Sequence, residues 1–170
     1  KHLALIASIN PDESSSVPGV EAPRPAAVLV PLIQDPLGVK NPGWHILYTR
    51  RTESVQDHKG QVSFPGGRAD PGDDHPNGTA LREAYEEIGL LPADVRILGQ
   101  MAPFLTITNY LVTPVVGIIP WPYRFTIQPQ EVSRVFTMPM DWMAKAENYE
   151  IRQRECPPSA HIPSQVQKIR

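Results

Sequence analysis

The sequence predicts a mixed α/β domain, and three observations predict it. A chain of 170 residues, 41% of them hydrophobic, is long enough to bury one core. Short apolar, β-branched runs alternate with Pro- and Gly-rich turns, the pattern of strands. Between two groups of these runs lies one segment whose apolar residues recur at helical spacing. No internal repeat is visible, and a single domain is the expectation.

Asn10 to Arg24 is rich in Ser, Pro, Gly and acidic groups and cannot bury enough apolar area to order itself firmly, so residues 1–23 read as a flexible N-terminal segment and 24–170 as the domain. Ala26 to Ile33 (AAVLVPLI) reads as a buried strand and His45 to Thr49 (HILYT) as a second. Gln61 to Phe64 is a short strand that stops at Pro65-Gly66-Gly67, because proline cannot donate to a ladder. Thr79 is the expected N-cap of a helix over Ala80 to Ile88, and Gly89 its stop. Val95 to Met101 and Tyr110 to Ile119 read as strands. Pro129 to Val135 and Asp141 to Glu147 read as short helical pieces, and the proline-rich tail from Cys156 as irregular.

The 16 basic and 18 acidic side chains give a formal net charge of -2, which argues against a general grip on nucleic acid or anionic membrane. The most apolar stretch, Leu111 to Pro120, is well short of the roughly 20 residues that span a bilayer. Cys156 is the only cysteine, so no intramolecular disulfide forms, and a reducing, cytoplasmic setting is the simpler expectation. Beside prolines and without an evident base, it reads as structural. The chain has no G-x-S-x-G elbow, P-loop, dinucleotide fingerprint or zinc spacing.

On the helical wheel Leu81, Ala84, Tyr85 and Ile88 fall on one side, whereas Glu83, Glu86 and Glu87 gather on the other. Like charges at such spacing repel by a few tenths of a kcal/mol per pair, about 0.2–0.5, and a cation would relieve that. A divalent metal suits the oxygens, since hard Mg²⁺ takes carboxylates, water and substrate phosphate in one shell. Arg82, beside Glu83 and four residues before Glu86, can hold a carboxylate in place. Such an acidic face alone is what many solvated helices show; the surrounding letters decide.

From Gly67 to Leu90 the chain reads GRADPGDDHPNGTALREAYEEIGL. This resembles the Nudix box, G-x5-E-x7-R-E-U-x-E-E-x-G-U with U aliphatic, matched at Gly67, Arg82, Glu83, Ala84, Glu86, Glu87, Gly89 and Leu90. The first box glutamate is replaced by Asp73 or Asp74, with one extra residue before Arg82 if Asp73 is the counterpart. Both departures resemble the coenzyme A diphosphatase branch, as do Phe64 to Gly67 (FPGG) and Asp70-Pro71-Gly72-Asp73. That branch also carries an upstream signature, which LYTRRTESVQDHKGQVSFPGG resembles at Leu47, Thr49, Arg51, Gly60 and Phe64 to Gly67. Gln56 stands where the signature has arginine.

The resemblance, over about Arg24 to Tyr149, implies an α/β/α sandwich with a mixed sheet and a loop-helix-loop box, and a further strand and helix past Arg170, so that the C-terminal part reads as either trimmed or disordered. It implies hydrolysis of a diphosphate bond with Mg²⁺ or Mn²⁺ held by Glu83 and Glu87, Glu86 as third ligand or water-orienting base, the Gly66 carbonyl in the shell, and Arg82 orienting the carboxylates. Arg51, Arg50 and Gly67 are the expected substrate contacts. Adjacent strand residues point to opposite faces, so only one of the two arginines faces the site. Glu131 and His58 are weaker candidates, each with a surface role to set beside it. Coenzyme A or a derivative is the implied small-molecule partner, to give adenosine 3′,5′-bisphosphate and 4′-phosphopantetheine, and a homodimer is compatible with it. Two other readings stay open: hydrolysis of another nucleoside diphosphate linked to some group, such as ADP-ribose or a dinucleoside polyphosphate, and a non-catalytic nucleotide-sensing module.

Overall fold

A computed structural model describes residues 22–34, 43–52 and 60–148. Residues 1–21 of the expected flexible approach, the tail from Cys156, His58 and Gln56 lie outside these residues. The two long apolar runs form β1 (Arg24–Gln34) and β2 (Trp44–Arg51). Downstream come β3 (Val62–Ser63), β4 (Gly66–Arg68), α1 (Pro76–Ile88), β5 (Arg96–Gln100), β6 (Phe104–Leu105), β7 (Tyr110–Ile118), β8 (Val132–Pro139) and the short α2 (Met140–Met143). The strands make one mixed sheet in which β1 pairs in parallel with β7 from Arg24↔Tyr110 to Leu32↔Ile118, and every other ladder is antiparallel. Among the described residues no helix is long and apolar enough to cross a membrane.

The sheet is built around a split. β1 and β2 pair only at Leu32↔Ile46 to Gln34↔Trp44. Beyond that point they part, and the chain from β3 to β4 wedges between them: Ser63 pairs with Thr49 of β2, and Gly66 with Val28 of β1. Pro65 has no amide to offer, yet its carbonyl accepts from Leu29 N at 2.8 Å, so proline here ends one ladder without leaving the next. Phe64 is anchored by stacking on Tyr48, centroids 4.8 Å apart. The expected stop at Pro65-Gly66-Gly67 is therefore a crossing from one strand partner to another.

α1 packs across β1 and β4. Its Ala80, Ala84 and Ile88 join Ala27, Leu29, Leu47 and Val115 in the core. The helix begins earlier than expected, at Pro76, and its N-cap is His75 rather than Thr79: His75 Nδ1 accepts from Gly78 N at 3.2 Å. Proline at the first helical position, where no amide is needed, makes this start favourable. Gly89 closes the helix in the left-handed conformation, φ 69°, and its amide bonds back to Ala84 and Tyr85 carbonyls.

The helical expectation for Pro129 to Val135 fails. Gln128 to Glu131 is a turn, and Val132 opens β8, which runs the length of β2 to His45↔Pro139. The ladder with β2 decides the matter, and it sets Val135 and Thr137 opposite the buried Thr49 and Leu47. Only the Asp141 to Glu147 piece is partly helical, as α2 and a 3₁₀ turn at Ala146–Asn148.

Candidate active site

The wheel needs one correction. Tyr85 is 52% exposed, whereas Glu87 is only 4% exposed and belongs to the buried side of α1. At 3.6 residues per turn Glu87 lies about 60° from Ala84, against about 100° for Glu83 and Tyr85, so a small roll of the helix carries Glu87 under the sheet edge. There the wedge receives it. The Gly66 amide donates to the Glu87 carboxyl, and Arg51 Nη1 stands 3.9 Å from Glu87 Oε1. Burial, then the charge of Glu83, pushes the Glu87 carboxyl up to about 8 despite Arg51.

The paired glycines make this approach possible. A Cβ on Gly66 would lie 2.5 Å from the Ala27 carbonyl oxygen, and one on Gly67 would lie 2.6 Å from Glu83 Oε1. At Gly66 the obstacle is backbone, so no larger residue fits there, whereas at Gly67 it is the carboxyl end of Glu83, which a side chain would push out of place. Glu83 is half-buried, and desolvation raises its carboxyl although Arg82 pulls the other way.

Arg82 is the hub of the box. Its Nε and Nη2 grip both oxygens of Asp73 at 3.3 and 3.0 Å, Nη2 also reaches the Arg68 carbonyl at 3.0 Å, and Nη1 meets Glu83 Oε1 and Glu86 Oε2, each at 3.0 Å. Of Asp73 and Asp74, Asp73 is the one whose carboxyl Arg82 grips. Its Oδ2 also accepts from Thr79 Oγ1 and the Asp70 amide, each at 2.9 Å, and Arg82 with these donors holds its carboxyl down at about 2. Thr79, expected as a cap, instead supports Asp73. Asp73→Asn should cost about 1–3 kcal/mol, the range for leaving charged hydrogen-bond partners short, and appears as a lower thermal midpoint at pH 7; an unchanged midpoint would remove Asp73 from the clamp.

Glu86 is turned to Arg82 and its side chain is 55% exposed. Among the described residues no three His, Cys, Asp or Glu side chains converge as a ready ligand set. Glu83, Glu86 and Glu87 thus do not close on one point; bare anions repel, and Arg82 draws Glu86 aside. The Glu131 charge is close enough to raise both the Glu83 and Glu87 carboxyls, so the turn before β8 brings it to this side of the molecule.

The two arginines separate as alternation requires, with help from a bulge. β2 and β8 slip register between Arg50↔Arg134 and Arg51↔Val132, and Ser133 Oγ donates to the Arg50 and Arg51 carbonyls at 3.0 and 3.3 Å. The bulge turns Arg51 toward Glu87, whereas Arg50 Nε donates to the Gly60 carbonyl at 3.3 Å. Arg51 Nε is buried and meets no acceptor among the described residues. Arg51, Gly66 and Gly67 line a cleft of about 320 Å³ that continues along β4 and β7. Ser133 could not have been found from sequence, because it acts through a contact with a distant strand, and the support that Thr79 gives Asp73 depends on the path of the loop before α1.

A divalent cation fits this arrangement. Glu83 and Glu87 offer hard oxygens one turn apart, and the buried Glu87 carboxyl has its cation, Arg51, only at 3.9 Å.

The model of the NUDIX domain family matches residues 23–158. The uncharacterized Nudix hydrolase NudL of Photorhabdus laumondii is 41% identical over 126 residues, covering 74% of this chain and 64% of the relative. That of Escherichia coli is 44% identical over 117 residues, covering 69% and 58%. The chain spans about three fifths of the length of these relatives. A Caenorhabditis elegans Ap4A hydrolase in a binary complex superposes with a TM-score of 0.56 at 19% identity, over 68% of this chain and 80% of that one, a likeness of fold. The split mixed sheet, the glycine-floored carboxylate helix and a match over most of its length place the chain in the Nudix family.

Proposed function

We propose that the chain hydrolyses a diphosphate bond in a nucleoside diphosphate derivative, with coenzyme A or a derivative as the substrate. The observation that carries this is the desolvated pair Glu83 and Glu87, packed against Gly66 and Gly67 with Arg51 alongside. Glu83 and Glu87 would hold Mg²⁺ or Mn²⁺, with the Gly66 carbonyl as a further oxygen. When bound, such an ion lowers the pKa of a water and neutralises charge on the leaving phosphate.

The chain's own residues supply the rest. Arg82, fixed by Asp73, holds Glu83 and keeps Glu86 at the rim, where it orients the attacking water. Arg51 has a buried Nε without an acceptor, and a phosphate oxygen entering the cleft would satisfy it. Glu131, exposed and near both ligands, is the base that takes the water's proton. Gly67 lets substrate pass close to the backbone.

The upstream signature from Leu47 to Gly67 supports coenzyme A. Gln56, in place of its arginine, and the Ap4A hydrolase among the fold's likenesses favour a second reading: another nucleoside diphosphate derivative, with dinucleoside polyphosphates and ADP-ribose as the instances to test. A substrate panel with Mg²⁺ and Mn²⁺ separates them. The expected result is release of 4′-phosphopantetheine from coenzyme A, at a kcat/KM at least about tenfold above that for ADP-ribose or a dinucleoside polyphosphate. The reverse order would establish the second reading, and no turnover of any would refute both.

A further inference from the structure

The cleft beside the carboxylates differs from them in charge. Its floor is apolar, from Ala26, Val28 and Val112, and both charged residues that line it are cations, Arg51 and Arg68. Arg51 stands at the Glu87 end, where a diphosphate would sit. Arg68 belongs to the other end. It pairs with Ala26 across β4 and β1, two residues along from Gly66, so at about 3.3 Å per residue its Cα is about 7 Å further on. Its side chain is exposed, and among the described residues it meets no carboxylate; its carbonyl alone is used, by Arg82.

The phosphorus atoms of a diphosphate share one bridging oxygen and lie closer together than that span. A diphosphate held at the Glu87 end sits beside Gly66 and Arg51, and Arg68 lines the cleft two residues further along β4, open to a further anion. At about 320 Å³ the cleft is near the lower limit for a ligand pocket, room for one moiety of a substrate. Thr106 and Tyr110 bring hydroxyls to its far wall, opposite the arginines' strands. A neutral moiety would gain only single hydrogen bonds from the Arg68 guanidinium; a phosphate would gain charge-assisted bonds in fork geometry.

We infer that Arg68 reads a second, separate phosphate, a monoester on the ribose of the nucleoside half, and so sets specificity among nucleoside diphosphates. This rests on the proposed hydrolase reading for its substrate, but its test does not require turnover. Calorimetry would measure binding of adenosine 3′,5′-bisphosphate and of adenosine 5′-monophosphate to the protein and to Arg68→Gln and Arg68→Lys. The protein should prefer the bisphosphate by about tenfold. That preference should fall to within about twofold in Arg68→Gln and persist in part in Arg68→Lys, with thermal midpoints unchanged because the Arg68 carbonyl is retained. Equal binding of the two nucleotides by the protein, or an undiminished preference in Arg68→Gln, would overturn the inference. A preference that depends on Arg68 in a protein inactive on every diphosphate would uphold this anion site while refuting the hydrolase reading.

Discussion

Glu87→Gln lowers metal-dependent turnover by roughly a thousandfold, the scale on which loss of one group stabilising transition-state charge is felt, and leaves the fold intact. Shape explains the second half of that expectation. Glutamine keeps an oxygen for the Gly66 amide and fills the same space, so the helix stays seated on the wedge. Charge explains the first half. The carboxylate is the most buried oxygen ligand of the proposed pair, and an amide oxygen binds a hard cation more weakly. The variant also loses a desolvated acid, so its metal-free thermal midpoint at pH 8 should equal or exceed that of the unaltered protein. Steady-state rates over a Mg²⁺ series, with thermal melts in chelator, check both halves. Full activity would remove Glu87 from the ligand set; a collapsed midpoint would show that its charge is structural.

Much of this was legible in the sequence because it was local. The strands β1, β2 and β7 announced themselves by apolar runs, and the box letters from Gly67 to Leu90 placed α1, its carboxylates and Arg82 together. Most of what was missed depends on contacts between distant segments, the His75 cap being the local exception. β8 looked helical because Gln130 and Glu131 precede it, but its alternating face is needed only once β2 offers an open edge. His75 was passed over as a cap since histidine is an uncommon one, and Pro76 settles the start. The burial of Glu87 could not be read from a wheel that sorts by polarity, because only the gap between β1 and β2 makes room for it. Alternation alone does not say which of Arg50 and Arg51 turns to Glu87, and with the bulge opposite Ser133 it is Arg51.

Without metal, the protein should become less stable as pH rises from about 4.5 to about 8. Glu87 carries the sign. Its carboxyl has an ordinary value of 4.5 and is pushed up to about 8 in the folded chain, so across that window the native state holds a proton that the unfolded state has released. Stability then falls with pH wherever the native state binds more protons, is unaffected below the ordinary value, and stops falling above about 8. The loss is on the order of a few kcal/mol, at about 1.4 kcal/mol per unit. Asp73 acts in another window: lowered from 3.8 to about 2, it contributes stability above 3.8 that disappears as pH falls through about 2. The two therefore do not obscure each other; the Glu83 carboxyl is raised as well, so the part of the slope between pH 5 and 8 that Glu87→Gln removes is the part that reports Glu87. Melts in chelator should show the midpoint dropping across that range, and Glu87→Gln should flatten the drop. Millimolar Mg²⁺ or Mn²⁺ should restore the midpoint most at pH 8, because only the ionised carboxylate binds a cation. A midpoint that rises from pH 5 to 8 in chelator, or a metal effect equal in Glu87→Gln, would mean that the buried carboxyl is compensated by something other than a cation.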